Sequence, residues 1–241
     1  MTVSSSPARA LDAVIIDLDG TMVDTLGDFA AALNGMLADL GLPGIAPEAI
    51  RNMVGKGSEH LIASVLRQVS GLPQGAPELA AWAAPAWQSY QKHYLAVNGQ
   101  FAHCYPGVLP GLEMLRQRGL PLACLTNKPL DFTRPLLASL GLDGYFSQVF
   151  GGDSFPKKKP DPLPLQKTCE ALGTLPGRTL MLGDSSNDAQ AARAAGCPVV
   201  LVTYGYNHGE PVRAVDADGF IGSFGELGAR LESGLAGPAR R

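Results

Sequence analysis

The apolar positions divide the chain into two regions that differ in periodicity. Residues 13–16 are four consecutive apolar residues, and they run directly into Asp17, Leu18, Asp19 and Gly20. So short an apolar run, ended by a glycine, is typical of a strand buried on both faces of a parallel sheet. The same pattern predicts further strands at residues 120–125, 148–150, 179–182, 199–202 and 219–221.

Between residues 24 and 103 the apolar residues follow helical spacing instead. Residues 26–40 predict an amphipathic helix, which Thr25 and Asp28 are expected to begin as a capping box with Asp in place of Glu. Three more helical patterns follow at residues 50–54, 61–69 and 79–94, and Pro85 is expected to kink or divide the last. No strand is expected here, so the region is predicted to be an all-helical insertion.

After residue 104 the predicted strands alternate with helices. One helical pattern begins at residue 112 and is ended by Gly119, and three more cover residues 132–140, 165–172 and 189–195. Strands that alternate with helices in this way form a doubly wound parallel sheet with right-handed crossovers. The chain is therefore predicted to be an α/β protein whose helical insertion follows the first strand.

Composition and charge narrow the possible functions. Of the 241 residues, 46% are hydrophobic and 17% are charged, which is ordinary for a globular protein with a sizeable core. The net charge of −3 argues against nucleic acid or an anionic membrane surface as a partner. There is no apolar run of membrane-spanning length. The four cysteines show no zinc-binding spacing and predict free thiols in the cytoplasm.

Polar side chains follow three of the predicted strands. Asp17 and Asp19 follow the first, Thr126 and Asn127 the second, and Asp184 the strand at residues 179–182. The carboxyl ends of parallel strands meet at one edge of a sheet, where open α/β sheets bind their ligands. Each of these residues could instead cap a helix. The carboxylates require a partner when buried, and Mg²⁺, which prefers oxygen ligands, is the expected one.

Two charged loops are expected at the same edge. The basic loop contains three lysines, of which residues 157–158 are expected to be solvated, whereas Lys159 is held by the adjacent Pro160. The acidic loop places Asp184 and Asp188 four residues apart, at a strand end and in the first turn of a helix. One carboxylate can then ligate a metal while the other orients the metal's waters. The alternative is that the acidic side chain only caps the helix, where the helix dipole favours a negative charge, and both interpretations can hold for Asp188.

These segments resemble the four motifs of the haloacid-dehalogenase-like superfamily in their order along the chain. The motifs correspond to residues 17–21, 126–127, 159–160 and 183–188, and the resemblance extends from residue 14 to about residue 210. Within the superfamily, the chain is most similar to the bacterial phosphoglycolate phosphatases. The stretches that suggest this subfamily are residues 17–25, 125–129, 151–153 and 203–210.

The resemblance implies a Rossmann-like core with strand order 5-4-1-2-3 and a helical cap inserted after the first strand. It places the catalytic core at residues 1–21 and 105–241 and the cap, which determines substrate specificity, at residues 22–104. The helical insertion predicted from periodicity agrees with this layout.

The resemblance also assigns the reaction, which is hydrolysis of a small anionic phosphate ester. Asp17 would attack phosphorus and form an aspartyl-phosphate. Asp19 would protonate the leaving alkoxide and then act as the base for water. Thr126, Asn127 and Lys159 would bind the non-bridging phosphate oxygens.

The same resemblance implies a Mg²⁺ cofactor. Asp17, the main-chain carbonyl of Asp19, and Asp184 would hold the ion, while Asp188 would orient its surroundings. The carboxyl of Asp19 then stays free to carry a proton.

The substrate implied is 2-phosphoglycolate, whose carboxylate Lys56 of the cap would bind. A turn between helices with an exposed lysine is the other interpretation of residues 55–58. A sugar-phosphate mutase is disfavoured because Phe29 stands where such enzymes tend to carry a histidine, and a dehalogenase or phosphonatase because these lack the acid at Asp19. A sugar-phosphate phosphatase and a catalytically silent phosphate-binding protein remain as alternatives. The oligomeric state is not predicted.

Overall fold

The computed structural model describes residues 11–233. The predicted core segments at residues 1–10 and 234–241 lie outside the described residues. The strands are β1 (Ala13–Ile16), β2 (Val23–Asp24), β3 (His103–Cys104), β4 (Leu122–Leu125), β5 (Gln148–Phe150), β6 (Thr179–Gly183), β7 (Val199–Val202) and β8 (Gly219–Ile221). The helices are α1 (Leu26–Asp39), α2 (Pro47–Arg51), α3 (Ser58–Ser70), α4 (Pro77–Val97), α5 (Val108–Gln117), α6 (Leu130–Ser139), α7 (Leu163–Leu172), α8 (Ser186–Ala195) and α9 (Leu227–Glu232).

Six strands form one parallel sheet in the order β5-β4-β1-β6-β7-β8. Numbered along the chain within this sheet, the strands lie in the order 3-2-1-4-5-6. This is the predicted arrangement with one further strand, β8, at the edge beside β7. The predicted fold class, a Rossmann-like α/β core with a helical insertion, is confirmed.

The sheet is buried on both faces, which explains the uninterrupted apolar runs in its strands. Val14 and Ile16 of β1 pack into one apolar cluster, together with side chains from α5, α6 and α9. Ile15, whose side chain points to the opposite face, packs into a second cluster with α7 and α8. Burying an aliphatic side chain of this size contributes about 1.5–3 kcal/mol, so β1 is firmly anchored as the base for a site at its end.

Helices α1 to α4 form the helical insertion around a third apolar cluster, to which Phe132 of α6 and Tyr206 also belong. Phe29 and Leu33 of α1 pack there against Tyr90 and Tyr94 of α4. Pro85 was predicted to kink or divide this helix; α4 continues through it from residue 77 to residue 97, so the helix is not divided, and the kink stays a prediction. Among residues 11–233, no helix combines the length and the apolar character that a membrane crossing requires.

Two short strands, which the sequence patterns missed, join the insertion to the sheet. Val23 of β2 pairs with Cys104 of β3, and Asp24 pairs with His103, in an antiparallel arrangement. Two residues per strand are too few to produce a detectable alternation. Both connections to the helical insertion therefore leave side by side. The predicted cap boundaries, residues 22 and 104, stay a prediction.

The predicted capping box at the start of α1 is wrong. Thr25 makes no capping hydrogen bond, and its buried hydroxyl has no hydrogen-bond partner. The carboxylate of Asp28, which is fully buried, instead accepts hydrogen bonds from the backbone N–H groups of Gly99 (2.7 Å) and Phe101 (2.8 Å). Asp28 thus fastens the chain that leaves α4 to the first turn of α1.

We expect Asp28→Ala to lower the free energy of unfolding by about 2–4 kcal/mol, because it leaves two backbone donors without their charged acceptor. Thr25→Val, three residues earlier, removes a buried hydroxyl that has no partner and should change stability by less than about 1 kcal/mol. Urea unfolding of both variants measures the difference. Equal destabilisation would contradict this account of the start of α1.

Candidate active site

The carboxyl end of β1 carries the first predicted pair of carboxylates. The N–H of Asp17 donates to the carbonyl of Leu182 at 2.9 Å, so Asp17 continues the pairing of β1 with β6. Three residues later the chain turns at Gly20, which has a φ of +84°. A Cβ at Gly20 would collide with the Asp184 carboxylate and with the ring of Tyr206. A glycine is therefore required where the β1 and β6 strand ends approach each other.

Three buried carboxylates converge at this point. Oxygen atoms of Asp17, Asp184 and Asp188 all lie within 4.8 Å of one another. Asp184 accepts hydrogen bonds from the hydroxyl of Thr21 (3.1 Å) and the N–H of Tyr206 (2.5 Å). The cluster is therefore assembled from the end of β1, the end of β6 and the first turn of α8.

Asp188 has both of its carboxylate oxygens engaged by the protein. Its Oδ2 accepts hydrogen bonds from the N–H (3.1 Å) and the hydroxyl (2.7 Å) of Ser185, which form a capping box at the start of α8. Its Oδ1 lies 2.7 Å from the Nζ of Lys159. The side chain thus caps the helix and pairs with the lysine at the same time.

Lys159 is the ammonium at the centre of the cluster. Its Nζ lies 2.9 Å from Asp17 Oδ1 and also donates to the carbonyl of Leu125 at 2.8 Å. Asn127 holds its backbone on both sides, because the Asn127 side chain accepts from the Lys159 N–H (3.0 Å) and donates to the Lys159 carbonyl (2.8 Å). Asn127 therefore fixes the position of this lysine.

The electrostatics of the cluster are unbalanced. Burial raises the pKa of Asp17 to about 7, with Asp188 adding to the shift and Lys159 opposing it. Burial likewise raises the pKa of Asp184 well above its ordinary value. Burial alone would lower the pKa of Lys159, but Asp17 and Asp188 raise it, so the lysine stays charged. Three carboxylates thus share one ammonium within the described residues.

One atom of this cluster lacks a hydrogen-bond partner. Asp17 Oδ1 is buried, and although it forms an ion pair with Lys159 it accepts no aligned hydrogen bond among residues 11–233. An orphaned carboxylate oxygen beside two further carboxylates is the donor set that a hard divalent cation takes. The residues present therefore fit a divalent metal ion.

Asp19 does not point into the carboxylate cluster but pairs with Lys128. The Nζ of Lys128 lies 3.0 Å and 3.2 Å from the two carboxylate oxygens of Asp19. The same Nζ lies 4.4 Å from the ring centroid of Phe29 and 4.6 Å from that of Tyr94. The sequence analysis gave Lys128 no role, because a single lysine at a strand end carries no pattern that distinguishes it from a solvated one.

A small cavity joins these groups to the helical insertion. Its volume is about 20 Å³, enough for one or two water molecules. The sheet contributes Asp17, Asp19, Thr126, Asn127 and Lys128 to its walls. The insertion contributes Phe29, Val54, Gly55, Gly57, Ser58 and Leu61. The structure therefore brings four predicted site residues, Asp17, Asp19, Thr126 and Asn127, to one cavity, with Lys159 directly behind Asp17.

The structure does not bring Lys56 to this cavity. Its neighbours Gly55 and Gly57 line the cavity, whereas Lys56 itself is exposed and lines a separate groove with His60 and Arg67. The sequence placed the loop correctly, but the direction of a single side chain in a turn is not encoded in a periodic pattern.

Asn187, a second residue to which the sequence analysis gave no role, binds the loop of the insertion that lines the cavity. The carbonyl of Gly55 accepts hydrogen bonds from the amides of Asn127 (3.0 Å) and Asn187 (3.1 Å). His208 lies 3.3 Å from the Asn187 amide nitrogen. Two buried amides of the sheet domain thus converge on one carbonyl of the insertion.

Comparison with known proteins assigns the family. The sequence profile of the haloacid dehalogenase-like hydrolases matches residues 14–202. The chain belongs to this family. The hydrolase is 45% identical to the phosphoglycolate phosphatase of Thiobacillus denitrificans over 216 residues, which cover 90% of this chain and 93% of that protein.

Solved structures agree with the family assignment. A predicted phosphoglycolate phosphatase from Haemophilus somnus superimposes on the hydrolase with a TM-score of 0.85 and 31% identity, covering 91% of this chain and 97% of the other. CbbY from Rhodobacter sphaeroides, solved in complex with phosphate, does so with a TM-score of 0.76 and 26% identity, covering 92% and 99%. The predicted superfamily and the prediction that the chain is an enzyme of the phosphatase type are confirmed.

Proposed function

We propose that this hydrolase removes phosphate from 2-phosphoglycolate in a Mg²⁺-dependent reaction that passes through an aspartyl-phosphate. The observation that carries the proposal is the division of the carboxylates between two environments. Asp17 lies in the buried cluster beside Lys159, whereas Asp19 lies outside that cluster and pairs with Lys128. One carboxylate is thus available for attack and the other for proton transfer. The relative that is named a phosphoglycolate phosphatase supports the choice of substrate.

In the first step, a carboxylate oxygen of Asp17 forms a bond to phosphorus as the bond from phosphorus to the glycolate oxygen breaks. Asp19 gives its proton to the departing alkoxide. In the second step water attacks the phosphorus of the aspartyl-phosphate, Asp19 takes a proton from that water, and the Asp17 carboxylate is released. The two steps balance, because the proton that Asp19 loses in the first it regains in the second.

Three residues of the sheet domain would bind the phosphoryl group. Thr126 and Asn127 line the cavity beside Asp17, and the ammonium of Lys159 lies 2.9 Å from the attacking carboxylate. Positive charge and hydrogen-bond donors at this position stabilise the negative charge on the non-bridging oxygens in the transition state. Lys159 would also reduce the repulsion between the Asp17 carboxylate and an anionic substrate.

Asp17, Asp184 and the main-chain carbonyl of Asp19 would hold the metal ion. Bound there, Mg²⁺ would supply positive charge that offsets the clustered carboxylates and polarises the phosphoryl oxygens. Asp188 is better suited to an indirect role, because Ser185 and Lys159 already engage both of its oxygens. Asp188 would orient Lys159 and the loop that carries Asp184.

The side chain of Phe29 bears on the alternative reactions. It forms part of the cavity wall and packs against the ammonium of Lys128, so no imidazole is available there for the proton transfers of a mutase. A sugar-phosphate phosphatase remains the second candidate and is separated from the first by the choice of substrate. A cytoplasmic location and the absence of nucleic-acid and membrane partners stay predictions from composition and charge.

The test is phosphate release from a panel of small phosphomonoesters that includes 2-phosphoglycolate, glycerol phosphates and sugar phosphates, with Mg²⁺ and with a chelator. We expect a metal-dependent preference for 2-phosphoglycolate. A preference for sugar phosphates would transfer the proposal to the second candidate. No release from any ester in the presence of Mg²⁺ would favour a catalytically silent phosphate-binding protein.

A further inference from the structure

Lys128 is a buried cation in the wall of the cavity and pairs with Asp19 outside the carboxylate cluster. Its side chain is only 1% exposed, and the side chain of Asp19 in contact with it is 11% exposed. The rings of Phe29 and Tyr94 cover two sides of the ammonium. A lysine side chain has three N–H donors, and Asp19 is the only carboxylate within ion-pair distance of Lys128 among residues 11–233. The ammonium can therefore donate a hydrogen bond to a second anion in the cavity.

The helical insertion presents a second group of donors to the same cavity. Helix α3 begins at Ser58 after Gly57, and both residues line the cavity. No side chain caps this helix, so the N–H groups of its first turn keep their capacity to bind an anion. Ser58 itself is 5% exposed. This helix start and Lys128 thus face one small space from the two domains.

Two tyrosine rings lie near Lys128, because the Tyr94 ring is 4.6 Å from its Nζ and the Tyr90 ring is 5.4 Å from that of Tyr94. The hydroxyls of Tyr90 and Tyr94 are buried and have no hydrogen-bond partner among the described residues. Burial raises the pKa of both hydroxyls well above the ordinary value, and the charge of Asp19 adds to this effect. Both tyrosines stay neutral, so they can only add donors and not negative charge. The surroundings of Lys128 are therefore suited to an anion.

We propose that Lys128 and the N-terminus of α3 form the subsite for the carboxylate of the substrate, the role that the sequence analysis gave to Lys56. The inference rests on the proposed function, because it assumes that Asp17 attacks the phosphoryl group at the other end of the same molecule. The ligand that we assign to this subsite is the phosphate ester of a short 2-hydroxy acid, whose carboxylate lies one carbon from the ester oxygen, because Asp17 and Lys128 line the same small cavity.

The subsite would also link substrate binding to the position of Asp19. A substrate carboxylate at Lys128 lies next to the Asp19 carboxylate and shares its ammonium. The ester oxygen of a short substrate is then held beside Asp19, which gives it a proton as it departs. A neutral substrate of the same length can occupy the cavity but gains nothing from the ammonium.

The experiment compares 2-phosphoglycolate with 2-hydroxyethyl phosphate, in which a hydroxymethyl group replaces the carboxylate. We expect Lys128→Met to lower the ratio of kcat/KM for the two substrates by about 10- to 100-fold, the usual effect of a lost hydrogen bond to a charged group. Lys128→Gln, which keeps a donor for Asp19 but not the charge, should lower the ratio similarly. Lys128→Arg should retain most of it. Lys157→Met makes the same change at an exposed lysine and serves as the control.

The outcomes separate this inference from the proposed function. Equal losses on both substrates in Lys128→Met and Lys128→Gln would overturn the subsite and leave Lys128 as a residue that only positions Asp19. A selective loss of carboxylate preference in Lys56→Met, with none in the Lys128 variants, would return the role to Lys56. If wild-type enzyme cleaves phosphate esters without preferring the carboxylated one, the proposed substrate itself fails. Thermal unfolding of each variant shows whether it is folded.

Discussion

Asp17→Asn is expected to lower kcat at least about 10³-fold and, in the metal-free protein, to raise the melting temperature. The loss of activity follows from removing the attacking oxygen, since the other groups of a catalytic set contribute little without it. The gain in stability follows from burial, which raises the pKa of Asp17 to about 7 and so disfavours its charged form in the folded state. Lys159 keeps Asp188 as its partner in the variant.

The raised pKa of Asp17 also makes the stability of the folded protein depend on pH. The folded-state pKa of Asp17 lies above its unfolded value, so the folded state binds more protons between these two values. The contribution of Asp17 to the free energy of unfolding is therefore greatest below about pH 4, and it decreases as the pH rises towards 7. We expect Asp17→Asn to weaken this decline in the absence of metal.

Two measurements test the prediction. Thermal unfolding from pH 4 to pH 8 with a chelator compares Asp17→Asn with wild type, and Asp131→Asn, at an exposed position in the first turn of α6, provides the matched control. Acid quenching during turnover should leave a hydroxylamine-sensitive phosphate on wild type and none on the variant. Substantial turnover by Asp17→Asn would refute the assignment of the attacking group.

Most of the fold could be predicted because the sheet is buried on both faces. Its strands are short apolar runs that end in glycine or polar residues, and β5, β7 and β8 have the predicted bounds. What the sequence could not show were features set by tertiary contacts. The carboxylate of Asp28 binds backbone groups more than 70 residues away instead of capping its own helix, and no local pattern reports this.

The candidate site also contains both residues that could be predicted from the sequence and residues that could not. The positions of Asp17, Asp184 and Asp188 could be predicted because the ends of parallel strands must meet at one edge of the sheet. The direction of Lys56 could not be predicted, because adjacent residues of a turn face different spaces. Lys128 was overlooked because its importance comes from the rings of Phe29 and Tyr94, which lie on helices far away in sequence.

Lys159→Met is expected to have the opposite effect on stability from Asp17→Asn. It removes the ammonium that contacts Asp17 and Asp188 and leaves buried carboxylates without a cation among the described residues. Removing one partner of a buried ion pair costs about 3–5 kcal/mol, so the free energy of unfolding should fall by this amount. Activity should fall by about 10²- to 10³-fold, because the phosphoryl oxygens also lose a charge-assisted donor.

Urea unfolding with a chelator and with Mg²⁺ measures this change. Lys167→Met, which breaks the exposed pair between Lys167 and Glu170, is the matched control and should cost less than about 1 kcal/mol. Because Mg²⁺ would supply positive charge to the same carboxylates, we expect it to restore more stability to Lys159→Met than to wild type. The absence of any Mg²⁺ effect on either protein would contradict the proposed metal site.

The double variant Asp17→Asn/Lys159→Met shows whether the two effects share one cause. If repulsion among buried carboxylates destabilises Lys159→Met, removing one of these charges must recover part of the loss. The double variant should then be more stable than Lys159→Met alone, even where the single variant is largely unfolded. If Lys159 instead stabilises the fold only through its contact with the Leu125 carbonyl and its aliphatic stem, Asp17→Asn would give the same gain with or without the lysine. A gain that is larger without the lysine shows that Lys159 stabilises the fold by offsetting the repulsion among these buried carboxylates.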